Sequence, residues 1–452
     1  MPPSVPAPLS ALASQPVLVP LHGIASRHDL PLPFSFVLVG AAVALVVSFV
    51  VLGVAWKRPR FASVGGIGLP RLTRLVDAPG TRVVSRVLVL LLLGWVALAL
   101  FAGRDLLTNP VFGFVFVWMW VGLVPLSLLL GPFWRAVNPL RTLHRLLCAV
   151  ARTDPREGLV TMPAGMGLWP GAVGLAAFTW LELVQPDRTT LPVMRVWALA
   201  WLVAVVLGAI VFGERWFAAA DPFEVYSSTV ARLSPWHRSG DVLRLVNPLA
   251  GLTAWRAPPG AVGVVAVLLG STAFDSFTNT SWWLRTVQSS AVPSVLWATA
   301  GLVVMIVLVL VSFSAAAAWM TRYGDRPARG YARLMAGSLV PILVGYAVAH
   351  YFTLLVVEGQ RVVVNLADPL GRGWDVLGAH RWAVDSSIVD HPVVIAVVQL
   401  LAIVVGHVLG VVAAHERAVA LLPARSALPG QWPMLVAMVA YTCLGLVLLF
   451  SP

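Results

Sequence analysis

Two apolar runs late in the chain carry side chains able to do acid–base or metal chemistry within a membrane. Tyr346, His350, Tyr351 and Glu358 lie in one, and Gln399, His407 and His415 in the next. A polar loop from Glu358 to Asp390 joins the two runs. Earlier, Ser271, Asp275 and Asn279 recur at every fourth residue, which sets them along one helix face, and Glu182 sits near the end of another apolar run. Charged groups at the centre of a hydrocarbon layer cost about 2.5–3.5 kcal/mol each on insertion scales, so they persist there with a partner or a task. Imidazole and carboxylate together suit general-base activation of water or the holding of a divalent metal. Either use needs helices that bring these residues to one level.

The composition supplies those helices. Of 452 residues 59% are hydrophobic and only 11% charged, with mean hydropathy +0.87, against about 25% charged in soluble domains. The chain is an all-α, polytopic membrane helix bundle. About ten apolar runs are long enough for some 30 Å of hydrocarbon: 34–56, 87–103, 111–131, 168–185, 191–213, 261–281, 293–320, 334–357, 392–415 and 432–450. Of the 31 Lys and Arg residues, 23 fall in alternate connections (57–86, 132–167, 214–260, 321–333 and 416–431). The positive-inside rule assigns that set to the cytoplasm, and ten crossings then place both termini outside. The net charge of +12 is thereby accounted for without nucleic acid. Cys148 and Cys443 fall in separate places and read as free thiols.

Residues 1–33 read as an extracytoplasmic tail and not a cleaved leader, since a basic start is missing and Pro16 and Pro20 break the apolar patch. Residues 34–452 form the membrane domain, with an extracytoplasmic loop at 358–391. Two cytoplasmic connections carry amphipathic helices, near 139–152 and 222–232. In the first, Asn138 caps Pro139, and Leu140, Leu143, Leu147 and Val150 recur at helical spacing, as in an interfacial helix. In the second, Asp221 and Glu224 form a capping box around Pro222. Gly131, Trp134 and Asn138-Pro139 are echoed by Gly213, Trp216 and Asp221-Pro222, the signature of a weak internal duplication.

At about 1.5 Å per helical residue, Asp275 lies roughly 9 Å and His350 roughly 10 Å below the outer membrane face. Gln399 is about as deep, and Glu182 and Glu358 lie near the outer ends of their helices. A polar pocket opening outward follows. In it His350 and Asp275, with Glu358 or His22, would hold a divalent metal, while Glu182 orients a water. The plain alternative is that Asp275 and His350 are satisfied struts and that Glu182 and Glu358 are solvated near the interface. His407, roughly 20 Å deep, is too far from His350 for both to ligate one haem iron, and no haem is expected. His415 reads as a cytoplasmic helix end. The sequence has no GxxxxGK[ST], GxSxG, CxxC or HExxH, so neither a bound nucleotide nor the familiar serine-esterase or zinc-protease chemistry is expected.

One combination of segments resembles a family of bacterial polytopic membrane proteins identified as fenitrothion hydrolases. It comprises His22-Gly23, Asp105 to Pro110, Asn138 to Arg141, Asp221 to Ser227, Phe274 to Phe277, His350 to Phe352, Glu358 to Gln360 and Asp368 to Asp375. The resemblance covers nearly the whole chain. It implies a hydrolase of organophosphorus triesters in the bacterial cytoplasmic membrane, taking a small apolar substrate from the bilayer. It transfers no catalytic motif to particular residues, so the site assignment rests on depth alone. The competing readings are a transporter or channel, with Asp275 and His350 outside and His407 as an inner relay, and a nonenzymatic subunit bound to a membrane-protein partner or to further copies of itself.

Overall fold

The structure, a computed structural model, describes residues 27–61, 65–376 and 378–450. Among these residues nine helices are long and apolar enough to cross a membrane. They are α1 (Phe34–Ala55), α2 (Pro79–Ala102), α3 (Pro110–Leu130), α6 (Leu191–Phe212), α8 (Ala261–Thr278), α9 (Ser294–Ala318), α10 (Val340–Leu366), α11 (Pro392–Leu421) and α12 (Ala427–Leu449). Two shorter helices, α4 (Pro139–Ala151) and α7 (Pro222–Val230), occupy the connections after α3 and α6. The run expected at 168–185 forms α5 (Trp169–Leu183), whose 15 residues reach only about 22 Å. It pairs with the other short helix, α8. The Leu168 amide donates to the Pro259 carbonyl at 2.7 Å where both helices start, and Val184 packs on Phe274 where both end. The two therefore run parallel through the same depth.

The five basic connections meet on one face. A small antiparallel sheet, order β1-β3-β2, joins β1 (Ile67–Gly68) to the hairpin of β2 (Trp236–Ser239) and β3 (Val242–Leu245). Gly240 turns that hairpin at φ +58°, the first loop position, where a two-residue turn takes glycine. Glu416 accepts from Trp56 Nε1 at 2.8 Å and from the Phe61 amide at 2.6 Å, and Arg417 donates to the Thr253 carbonyl. On the opposite face Arg27 Nε donates to the Phe450 carbonyl at 3.1 Å, so the described N- and C-terminal residues come together there.

Close packing of α10 on α11 sets the position of His350. A Cβ added at Gly345 would strike the Ala402 carbonyl and lie 3.1 Å from the Gly406 Cα, and one at Gly410 would lie 3.0 Å from the Ser338 carbonyl. Small residues let helix backbones approach in a bilayer, where dispersion contacts and not water drive association. Against the other side of α10 lies α3, whose residues Phe114–Gly122 are wound as a π-helix, a geometry frequent at functional sites.

Candidate functional site

α8 and α10 bring Asp275 and His350 into direct contact. His350 Nε2 lies 2.8 Å from Asp275 Oδ2, and the Tyr351 hydroxyl donates to the same oxygen at 3.3 Å. On the far side of the ring, His350 Nδ1 lies 3.2 Å from Ser276 Oγ, which is itself 2.9 Å from the Tyr346 hydroxyl. An ionised carboxylate only accepts, and with a neutral imidazole that sets the direction of the whole chain. His350 Nε2–H donates to Asp275, Nδ1 accepts from Ser276, and Tyr346 donates to the serine oxygen. Carboxylate, imidazole and hydroxyl thus stand in the order that activates an oxygen nucleophile. Asp275 is 6% exposed, His350 1% and Ser276 2%.

This cluster is closed, in contrast to the outward-opening pocket expected from depth. The cavity beside it is apolar and lies one turn deeper. It measures about 50 Å³ and is lined by Ala273 and Leu269 of α8, Tyr346 and Ile342 of α10, His407 of α11, and Tyr441, Leu444 and Leu448 of α12. Ala273 precedes Ser276 by three residues and Tyr346 precedes His350 by four, so this cavity abuts the hydroxyl end of the chain. Leu444 is 38% exposed and borders it on the outer surface of the bundle. His407 Nδ1 lies 2.8 Å from the Ile403 carbonyl and donates to it, which leaves Nε2 as an acceptor without a partner among the described residues.

The remaining expected residues are scattered around this centre. Glu182 of α5 is within electrostatic range of Asp275, and its Oε2 is buried without a hydrogen bond to the described residues. Gln399, fully buried, lies on the stripe of α11 that packs on α10, and both its side-chain polar atoms lack partners among the described residues. Glu358 lies eight residues, about 12 Å, beyond His350 and pairs with Arg361 at 2.9 Å, so it is not part of the cluster. His22 lies outside the described residues. Among the described residues no group of three or more His, Cys, Asp or Glu side chains converges as a metal site. His415 Nε2 donates to the Trp56 carbonyl at 2.9 Å and fastens α11 to the end of α1.

A second buried polar centre, near the basic face, was not apparent from the sequence. Asn138 caps α4 through Oδ1, and its Nδ2 donates to Asp221 Oδ2 at 2.6 Å and Glu224 Oε2 at 3.0 Å. Asp221 caps α7 and also accepts from Trp134 Nε1 at 3.1 Å. Arg141 grips Glu224 at 2.6 Å and 3.3 Å. In place of a capping box, Glu224 thus turns to Arg141. Burial, and after it the neighbouring Glu224 carboxylate, push Asp221 up to about 7. α4 is turned so that Arg141 and His144 are buried while Leu143, Leu146, Leu147 and Val150 are exposed, an apolar face suited to lipid. The two matched segments share their local form: Gly131 (φ +79°) and Gly213 (φ +74°) each end a long helix, and a short helix and an Asn- or Asp-Pro cap follow. The only sequence signal was that echo. No family model, curated protein or solved structure matches this chain.

Proposed function

We propose that the protein is a membrane-embedded hydrolase of small apolar esters, with Ser276 as nucleophile, His350 as general base and acid, and Asp275 holding the imidazole. The observation that carries this reading is the Asp275–His350–Ser276 chain, with contacts of 2.8 Å and 3.2 Å, ending beside an apolar cavity at the lipid-facing surface. The substrate class, organophosphorus triesters, is the one implied by the family resemblance. Such esters dissolve in lipid, and one substituent would occupy the cavity past Tyr346.

In the first half-reaction the Ser276 proton passes to His350 Nδ1 as Oγ bonds to phosphorus. The bond from phosphorus to the leaving oxygen breaks, and that oxygen takes the proton from His350. Water then attacks the phosphoryl-serine, gives its proton to His350, and Ser276 recovers it as the phosphate diester leaves. Asp275 steadies the imidazolium that forms in each half, and Tyr346 donates to the serine oxygen. Purified protein in lipid nanodiscs should release nitrophenolate from diethyl p-nitrophenyl phosphate, and Ser276→Ala should not. Equal release by both would reject the assignment.

A second reading, proton transfer across the bilayer, is favoured by Glu182, whose buried Oε2 lacks a partner near Asp275. In proteoliposomes with an imposed pH gradient it requires proton flux that Glu182→Gln abolishes. The hydrolase requires no gradient.

A further inference from the structure

A basic concavity lies away from the proposed ester site, on the face where the basic connections meet. It has a volume of about 640 Å³, and Arg135, Arg232, His237 and Arg238 line it without any carboxylate among the lining residues. The charges on its walls are unequally matched. Arg238 is tied to Asp77 at 2.8 Å, and Arg135 Nε stands 3.9 Å from Glu224, which Arg141 already holds. Arg232 has no ion pair among the described residues. Its guanidinium lies over the Trp255 ring at 5.3 Å, and its Nε is buried without an acceptor. Burial lowers the pKa of this group, and Arg135 nearby adds to the effect. Even so, a guanidinium remains charged in proteins. A half-buried guanidinium with no ion pair among the described residues, lining a basin that no carboxylate lines, is matched by a phosphate oxygen.

The rest of the lining identifies the source of that phosphate. Leu129 and Leu130 end the membrane-crossing helix α3 and are 67% and 58% exposed, and Leu72 and Val76 come from the short helix Pro70–Asp77 that lies on the same face. Apolar residues therefore continue from the basic floor onto the outside of the bundle at the membrane boundary. A free phosphate ion would use the arginines and leave this surface bare, whereas a phospholipid would use both. We infer that this basin holds the headgroup phosphate of an anionic phospholipid, with Arg232 as its principal donor and the acyl chains laid over Leu129 and Leu130. The resulting lipid would brace the sheet, the short helix Pro70–Asp77 and the end of α3, elements drawn from connections far apart in sequence. Basic pockets at this level are a common means of binding anionic headgroups.

Native mass spectrometry of the full-length protein, delipidated and titrated separately with phosphatidylglycerol, phosphatidylcholine and inorganic phosphate, tests the inference. One phosphatidylglycerol should remain bound at collision energies that strip phosphatidylcholine. Its apparent affinity should fall about five- to tenfold in Arg232→Gln. Arg135→Gln alters an exposed side chain and should weaken binding by a smaller factor, giving a readout even if Arg232→Gln folds poorly. Equal retention of the two lipids, or unchanged phosphatidylglycerol binding in both variants, would overturn the proposal. So would inorganic phosphate displacing phosphatidylglycerol completely at equal concentration.

Discussion

Asp275→Asn isolates the electrostatic part of the proposed chemistry from its packing. The replacement is nearly isosteric and keeps a polar group 2.8 Å from His350 Nε2. What changes is the tautomer. A carboxylate forces Nε2 to carry the proton and leaves Nδ1 free to accept from Ser276, whereas the amide of asparagine can donate to Nε2 and move the proton to Nδ1. In that state the imidazole cannot take the serine proton, and the imidazolium has also lost its counter-charge. Loss of an equivalent carboxylate in other hydroxyl–imidazole–carboxylate sites lowers turnover about 10⁴-fold, or on the order of 5 kcal/mol of transition-state stabilisation. Folding should change far less. The Tyr351 hydroxyl shares Oδ2 with His350 and loses its acceptor when an amide nitrogen takes that place, so the loss is about two hydrogen bonds, on the order of 2 kcal/mol. Initial rates of nitrophenolate release in nanodiscs, with the unfolding midpoint measured on the same preparation, separate the two effects. A rate within tenfold of wild type at unchanged stability would refute the tautomer argument. Parallel collapse of rate and stability would show Asp275 to be a structural strut.

Three further outcomes follow from the packing and charge described above. Arg141→Met removes the partner of a fully buried Glu224 and should destabilise the protein by about 3–5 kcal/mol; Arg141→Met with Glu224→Leu should recover much of that, read as thermal midpoints in detergent. Gly345→Val forces a side chain against the Ala402 carbonyl and Gly406, so α10 must shift from α11; about 1–3 kcal/mol of stability should be lost, and ester hydrolysis with it, because Tyr346 and His350 ride on α10. Asp221 has a folded pKa of about 7 against an ordinary 3.8, so the native state binds more protons between these values. Stability should therefore be greatest on the acid side and fall as pH rises from about 4 to about 7, by on the order of 4 kcal/mol. The slope of midpoint against pH should flatten in Asp221→Asn, and an unchanged slope would assign the effect to another group.

Much of the architecture was legible because a bilayer leaves the chain few options. Long apolar runs must become helices, and the alternation of basic connections matches the single face on which they gather. Depth reckoning also put Asp275 and His350 at one level, where α8 and α10 join them. Ser276 gave no comparable signal, since a serine within a helix usually bonds to its own backbone, as Ser271 does to the Leu268 carbonyl. Asn138 and Asp221 misled for a related reason. Each has a complete local explanation as a helix cap, and nothing in the local sequence shows that the two caps bond to each other across 83 residues. The sheet was illegible because its strands are only two to four residues long and β1 finds its partner far along the chain. The closed state of the Asp275–His350–Ser276 cluster depends on side-chain packing between helices, which periodicity alone does not encode.

The proposed hydrolysis requires Ser276 Oγ to be a nucleophile made reactive by His350 and Asp275. Incubation of the nanodisc-embedded protein with a lipophilic fluorophosphonate, followed by peptide mass spectrometry, tests it most directly. One phosphonyl adduct is expected, on Ser276, absent in Ser276→Ala and strongly slowed in His350→Ala. A protein that hydrolyses the phosphotriester but acquires no adduct at Ser276, or labels there equally fast without His350, would contradict it.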